Sequence, residues 1–226
     1  MKAENFLDDW LCGAAAAGDE ETVMRWLDQG GDVNARDEKT GISWPLLHYA
    51  VCSDNIGFVS RLIERGAKVN GNSYCGSALH LAVQRKNESM IRLLVDSGAD
   101  INIRAPLHQE TVLTYALDEL HYSPALFPIV KLLIELGVDV NARDDGGYTA
   151  LWGAIDDNKL EILQYLESHG ADLHVCDDEG STLLHYAAEY EEEKVFHYLL
   201  QKGLDRNVRN FKGKTPDEVW GAGREG

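Results

Sequence analysis

Apolar residues fall along this chain in short clusters of helical spacing, set in pairs and separated by polar turns. Met90, Ile91, Leu93 and Leu94 make one such cluster and Ile162, Leu163 and Leu166 another, each suited to the buried face of a short helix. The clusters recur in register. An alanine stands sixteen residues ahead of a glycine at Ala14 and Gly30, Ala50 and Gly66, Ala82 and Gly98, Ala154 and Gly170, and Ala187 and Gly203. Ala116 and Gly137 lie twenty-one apart, so that copy carries five additional residues. Successive alanines are separated by 36, 32, 34, 38 and 33 residues, a period that marks one supersecondary unit stacked on itself.

Each anchor has a physical reason. The alanine marks where a first helix presses on its neighbour and a larger side chain would force the copies apart. Ahead of it come Pro45-Leu46-Leu47-His48-Tyr49, Ser77-Ala78-Leu79-His80-Leu81 and Thr182-Leu183-Leu184-His185-Tyr186. Ser or Thr there caps a helix start, and proline is tolerated in a first turn. The glycine ends the second helix in a left-handed conformation. Asp32-Val33-Asn34, Asp100-Ile101-Asn102 or Asp139-Val140-Asn141 follows, and then a polar turn such as Arg143-Asp144-Asp145-Gly146-Gly147. Neither helix of a copy reaches the roughly 12–15 residues that a helix needs to stand alone, so the pairs must hold by stacking.

These elements resemble the T-P-L-H-x-A and G-A-D-V-N motifs of the ankyrin repeat, in six copies covering nearly the whole chain. The resemblance implies an all-α ankyrin-repeat solenoid of stacked helix-turn-helix units with β-turn fingers, and a single domain over 1–226. Its repeats are expected at about 4–37, 38–71, 72–104, 105–143, 144–176 and 177–209, with a C-terminal cap at 210–226 that opens on Lys212-Gly213-Lys214-Thr215-Pro216 and stops after one helix near Trp220. Two copies depart from the pattern. Residues 37–44 lengthen a finger and end in Trp44, and an insertion within 118–128 enlarges the turn between two helices. Insertions in repeat proteins map to loops, where they are either functional or neutral.

Composition narrows the function. With 38 Asp and Glu against 21 Lys and Arg, the formal charge is −17, which argues against nucleic-acid or anionic-membrane partners and suits a basic one. No stretch approaches the apolar length of a membrane span. Three acids and a single lysine precede the alanine run at 14–17, which is unlike a signal peptide, and Leu11 is too large to precede a lipid-anchor cysteine at Cys12. Cys12, Cys52, Cys75 and Cys176 form no C-x-x-C pair and read as reduced thiols. A cytoplasmic location is expected.

Catalytic and cofactor sites are not expected. His48, His80 and His185 occupy one repeat position, where the resemblance implies a structural histidine bonding between neighbouring fingers. His48 and Cys52 have a helical i, i+4 spacing but no further ligands at zinc-site spacing. No phosphate loop and no activated nucleophile stands out. The acids at Asp156-Asp157 lack the alternating spacing of a calcium loop.

The resemblance also implies partner binding on a concave face, through finger positions and two positions late in each first helix. Transferred by register, these are Leu107, His108, Glu110, Asp118 and Glu119; then Asp145, Gly146, Tyr148, Asp156 and Asp157; then Asp178, Glu179, Ser181, Glu189 and Tyr190. Nine of these fifteen are acidic and none is Lys or Arg. The equivalents in the second and third repeats include Trp44 and Tyr74 and no acid, and Trp152 is expected among the carboxylates of the later repeats. Aromatic anchors among charges suit a protein-binding surface, since aromatics dominate interfaces energetically and charges steer encounter. The same acids would also serve simply as a solvated face. The expected function is a non-enzymatic module that binds a partner protein through a basic patch. Alternatives are an inhibitor, immunity protein or antitoxin that neutralises an enzyme such as a nuclease, and a metal-binding or enzymatic use of the Asp/Glu cluster.

Overall fold

The structure, a computed structural model, describes residues 7–37, 41, 43–74, 76–120, 127–155 and 159–220, with the side chains of 119 and 120 left out. The chain forms two compact units, 1–112 and 113–226.

In the first unit, helices come in pairs: α1 (Asp9–Ala16) with α2 (Glu20–Asp28), α3 (Leu46–Cys52) with α4 (Ile56–Glu64), and α5 (Ala78–Gln84) with α6 (Glu88–Asp96). Ala50 and Ala82 are fully buried, as expected of residues at a helix–helix contact. Ala14 is half-buried, because α1 has no earlier helix against it among the described residues. The second helices begin on capping side chains: Asp19, Asn55 and Asn87 accept from the backbone N–H of Thr22, Phe58 and Met90 at 3.0–3.1 Å. Between pairs the chain runs out into fingers. One is a two-residue hairpin, β1 (Asn72–Ser73) with β2 (Gly76–Ser77), and the others close through single bridges, Arg36 with Pro45 and Arg104 with Thr111.

Hydrogen bonds that span one repeat tie these pairs together. The Asn34 amide donates to the Gly66 carbonyl at 3.1 Å and accepts from Lys68 N–H at 2.8 Å. Asn70 makes the same pair of bonds to Gly98 and Asp100, at 3.0 and 2.8 Å. The histidines serve the same end. His48 donates from Nε2 to the Gly76 carbonyl of the next finger at 3.1 Å, and His80 Nδ1 accepts from Ser77 N–H at 3.2 Å, closing a capping box on α5. That capping role is not evident from the motif alone.

The second unit repeats the plan with α7 (Val112–Leu120, its first residue belonging to the first unit) and α8 (Phe127–Glu135), α9 (Ala150–Gly153) and α10 (Leu160–Ser168), and α11 (Leu183–Glu189) and α12 (Glu193–Gln201). The C-terminal cap is a single 3-10 turn, Pro216–Val219, with proline in its first turn and Thr215 and Glu218 in a capping box. Ala116, Ala154 and Ala187 are fully buried. Across both units, the six glycines that follow the second helices have φ between 88° and 97°, so each needs the left-handed freedom that ended the helix in the sequence reading. His185 accepts from Thr182 N–H at 3.1 Å and donates to the Lys214 carbonyl at 3.0 Å.

Gly153 sets the spacing of α7 and α9. A Cβ there would lie 2.9 Å from Leu117 Cβ and 3.3 Å from its backbone carbon. Gly153→Val is therefore expected to destabilise the second unit by about 1–3 kcal/mol through overpacking, measured as a lower urea midpoint at unchanged slope. An unchanged midpoint would mean that the two helices separate freely here.

Candidate functional site

The finger face of the second unit is built from one device used three times. Asp144 N–H donates to the Tyr148 carbonyl at 2.9 Å, while Asp144 Oδ1 accepts from Gly146 and Tyr148 N–H, both at 2.9 Å. Asp177 folds the next finger in the same way, accepting from Glu179 and Ser181 N–H at 2.9 and 2.7 Å. Asn210 does so for the last, accepting from Lys212 and Lys214 N–H at 3.1 Å. Backbone bonds join neighbouring tips, Asp178 N–H to the Gly146 carbonyl at 3.1 Å and Phe211 N–H to the Glu179 carbonyl at 2.9 Å. Gly147 is required between tips: its φ is 80°, and a Cβ would stand 2.5 Å from Asp178 Oδ1.

This scaffold sorts the expected site residues. Asp178 lies 3.4 Å from Arg143 Nη2, and Glu179 lies 2.6 Å from Lys212 Nζ. Two carboxylates of the acidic register are thus already matched by cations from neighbouring fingers. Asp145 is exposed at its tip, and Glu189 is half-buried on α11, where its charge acts on Tyr186 and Lys212. Asp156 and Asp157, and the side chain of Glu119, lie outside the described residues, as do residues 121–126 of the insertion and residues 38–40 and 42 of the long finger.

Asp118, Tyr148, Trp152 and Tyr190 come together around a hollow of about 220 Å³, joined by Asp144 and by Tyr186, which the register did not include. The rings are inclined to one another. Tyr148 meets Trp152 at 5.6 Å and 73°, Tyr186 at 6.2 Å and 59°, and Tyr186 meets Tyr190 at 4.9 Å and 41°. Burial raises the Tyr148 phenol above its ordinary value, and the charges of Asp177, Glu179 and Asp144 raise it further. Burial and a hydrogen bond with Tyr190 do the same for Tyr186. Both rings therefore stay neutral at physiological pH. Trp152 is 4% exposed, and its indole N–H has no acceptor among the described residues.

The aromatic candidates of the first unit sit in other surroundings. Trp44 packs edge-on against Tyr49 at 5.1 Å and beside His48 at 6.1 Å, with its indole N–H buried and without an acceptor among the described residues. Tyr74 is 59% exposed at the β1–β2 hairpin. Among the described residues no group of three His, Cys, Asp or Glu is arranged to hold a metal ion, and no helix is long and apolar enough to cross a membrane.

Paired short helices, left-handed glycines at fixed phase and linked β-turn fingers define a stacked-repeat protein of the ankyrin type. The family model for ankyrin repeats, which contains three copies, matches residues 11–105 and 120–210, and the chain belongs to that family. Mouse ankyrin repeat and SOCS box protein 6 is 41% identical over 96 residues, a match covering 42% of this chain and 22% of that protein. The mouse B-cell lymphoma 3 protein homolog is 40% identical over 104 residues, covering 46% of this chain and 22% of that protein. The chain therefore matches about a fifth of the length of these relatives. The crystal structure of the Bcl-3 ankyrin-repeat domain, described as a unique member of the IkappaB protein family, superposes with a TM-score of 0.77 at 27% identity over 95% of both chains. The human ASB11 ankyrin-repeat domain gives 0.72 at 22% identity, covering 95% of this chain and 94% of that one, a likeness of fold. Ankyrin repeats are a protein-interaction fold, and these relationships imply protein–protein interaction here.

Proposed function

We propose that the chain is a non-enzymatic binding module whose second unit captures a partner protein carrying a basic patch, on the face made by its fingers and first helices. The observation that carries this reading is the gathering of Tyr148, Trp152, Tyr186 and Tyr190 with Asp118 and Asp144 around one hollow. Half-buried aromatic rings offer large contact area, and surrounding carboxylates speed encounter with a cationic surface. The net charge of −17 extends that attraction beyond the site. Arg143 and Lys212 partly compensate Asp178 and Glu179.

The test begins with a partner captured from the native host at low salt and then purified. Asp145→Lys with Glu189→Lys is expected to weaken its binding by about tenfold or more and to flatten the salt dependence, since tenfold corresponds to about 1.4 kcal/mol. Glu161→Lys, on the exposed side of α10, is expected to leave binding within about twofold. A partner whose affinity ignores both the charge reversal and added salt would remove this face from the binding site.

A further inference from the structure

We propose that the hollow in the second unit is the seat of a single arginine side chain supplied by the partner, a refinement that rests on the reading just given. Four observations point to it. The walls are aromatic, and the near-perpendicular setting of Tyr148 and Trp152 makes a corner rather than a closed stack. Aromatic faces attract cations, most strongly where water is excluded. Asp118 and Asp144 place carboxylates in the same lining, and none of the described lining residues is Lys or Arg, so an anion would meet no counter-charge. Asp144 uses Oδ1 for two backbone N–H groups, while a carboxylate offers about four lone-pair sites, so it retains accepting capacity. Finally, Trp152 holds an indole N–H with no acceptor among the described residues, at 4% exposure, in a wall whose other polar groups are tyrosine and threonine hydroxyls and carboxylates. Buried donors are almost always paired, so this one marks a surface completed by a group outside the described residues, and we assign that group to the partner.

Arginine fits these demands better than the other cations. Its guanidinium is planar, stacks on rings, is weakly hydrated and carries five N–H donors, which the carboxylates and tyrosine hydroxyls can share. A lysine ammonium is compact and strongly hydrated, and loses more when the hollow dries. A trimethylated ammonium satisfies the rings and keeps its charge but offers no N–H donor to Asp118 or Asp144. The arginine residue's own backbone carbonyl supplies a candidate acceptor for the Trp152 indole N–H.

The experiment is a titration of the full chain, observing the Trp152 indole ¹H–¹⁵N signal, assigned through Trp152→Phe. The probe is the tripeptide acetyl-Gly-Arg-Gly-amide, against counterparts with citrulline, lysine or trimethyl-lysine at the central position. The arginine peptide is expected to shift the indole signal saturably at millimolar concentration, and citrulline to require at least about tenfold more. Asp118→Asn is expected to weaken the arginine response by about fivefold and leave the citrulline response unchanged. An indole signal that the arginine peptide does not move overturns the proposal. So does an equal or stronger response to citrulline, lysine or trimethyl-lysine. Either failure, alongside a partner that still responds to the Asp145→Lys and Glu189→Lys reversal, removes the arginine seat and leaves the acidic face standing.

Discussion

Lowering the pH from 7.5 to 5 is expected to weaken the first unit by about 4 kcal/mol, before most carboxylates titrate. His48 and His80 are both almost fully buried, and desolvation of the charged imidazole lowers each pKa from 6.5 to about 4, against the opposing pull of the carbonyls of Gly76 and Glu110. An unfolded chain takes up protons on these rings near pH 6.5, whereas the folded chain resists until about 4. Between those values the unfolded state binds more protons, so stability is fully present above 6.5 and declines as the pH falls towards 4. Each ring contributes about 2 kcal/mol of that loss at pH 5. Urea unfolding at pH 7.5, 6 and 5 reads it directly. His48→Gln and His80→Gln together should flatten the pH dependence while lowering stability at pH 7.5, because capping and finger bonds are lost. A midpoint that holds from pH 7.5 to 5 in the unaltered chain would sink the assignment.

Phe58→Ala is expected to cost about 3–5 kcal/mol, enough to unfold much of the first unit at ordinary temperature. Phe58 is 0% exposed in α4 and is among the largest fully buried side chains. Stability in a stacked-repeat protein is close to a sum of repeat and neighbour terms, so the damage should appear first as lost amide protection in α3 to α6. Phe211→Ala supplies the contrast. Phe211 is 82% exposed on the finger after Gly180, and its removal should change stability by less than about 0.5 kcal/mol. Comparable effects at the two phenylalanines would contradict the burial on which the first expectation rests.

Much of the fold could be read from residue phase alone. An alanine and a glycine at fixed separation are visible in sequence because each is the only ordinary residue that its place tolerates, one for close helix contact and the other for a left-handed φ. The fingers were also legible at Asp145, Asp178 and Glu179, which lie on the surface as the register places them. Their charge state was not legible. Arg143 and Lys212 reach Asp178 and Glu179 from 35 and 33 residues away, and both cations fall outside the positions transferred by register. Tyr186 escaped for a different reason. It lies four residues before Tyr190 on α11, and that i, i+4 pair of tyrosines on one face was the available signal. Trp44 and Tyr74 carried the same aromatic signal, yet one is tucked against its own helix and the other stands alone at a hairpin. Composition cannot distinguish these three situations; only the packing does.

The bonds that tie each repeat to the next run both ways along the chain. Asn34, Asn70 and Asn141 donate to the carbonyls of Gly66, Gly98 and Gly170, Arg143 to that of Cys176, and His48 and His185 to those of Gly76 and Lys214. Bonds of the opposite sense accompany them: Lys68, Asp100 and Asp172 N–H donate to the side chains of Asn34, Asn70 and Asn141, and Asp178 and Phe211 N–H to the carbonyls of Gly146 and Glu179. During synthesis, when the amino end emerges first, each repeat therefore waits on the one made after it, and a nascent chain always carries one unfinished edge, at its newest repeat. Because each asparagine both donates and accepts, shortening the protein from either end leaves unmet donors and unmet acceptors together, which only water remains to take up.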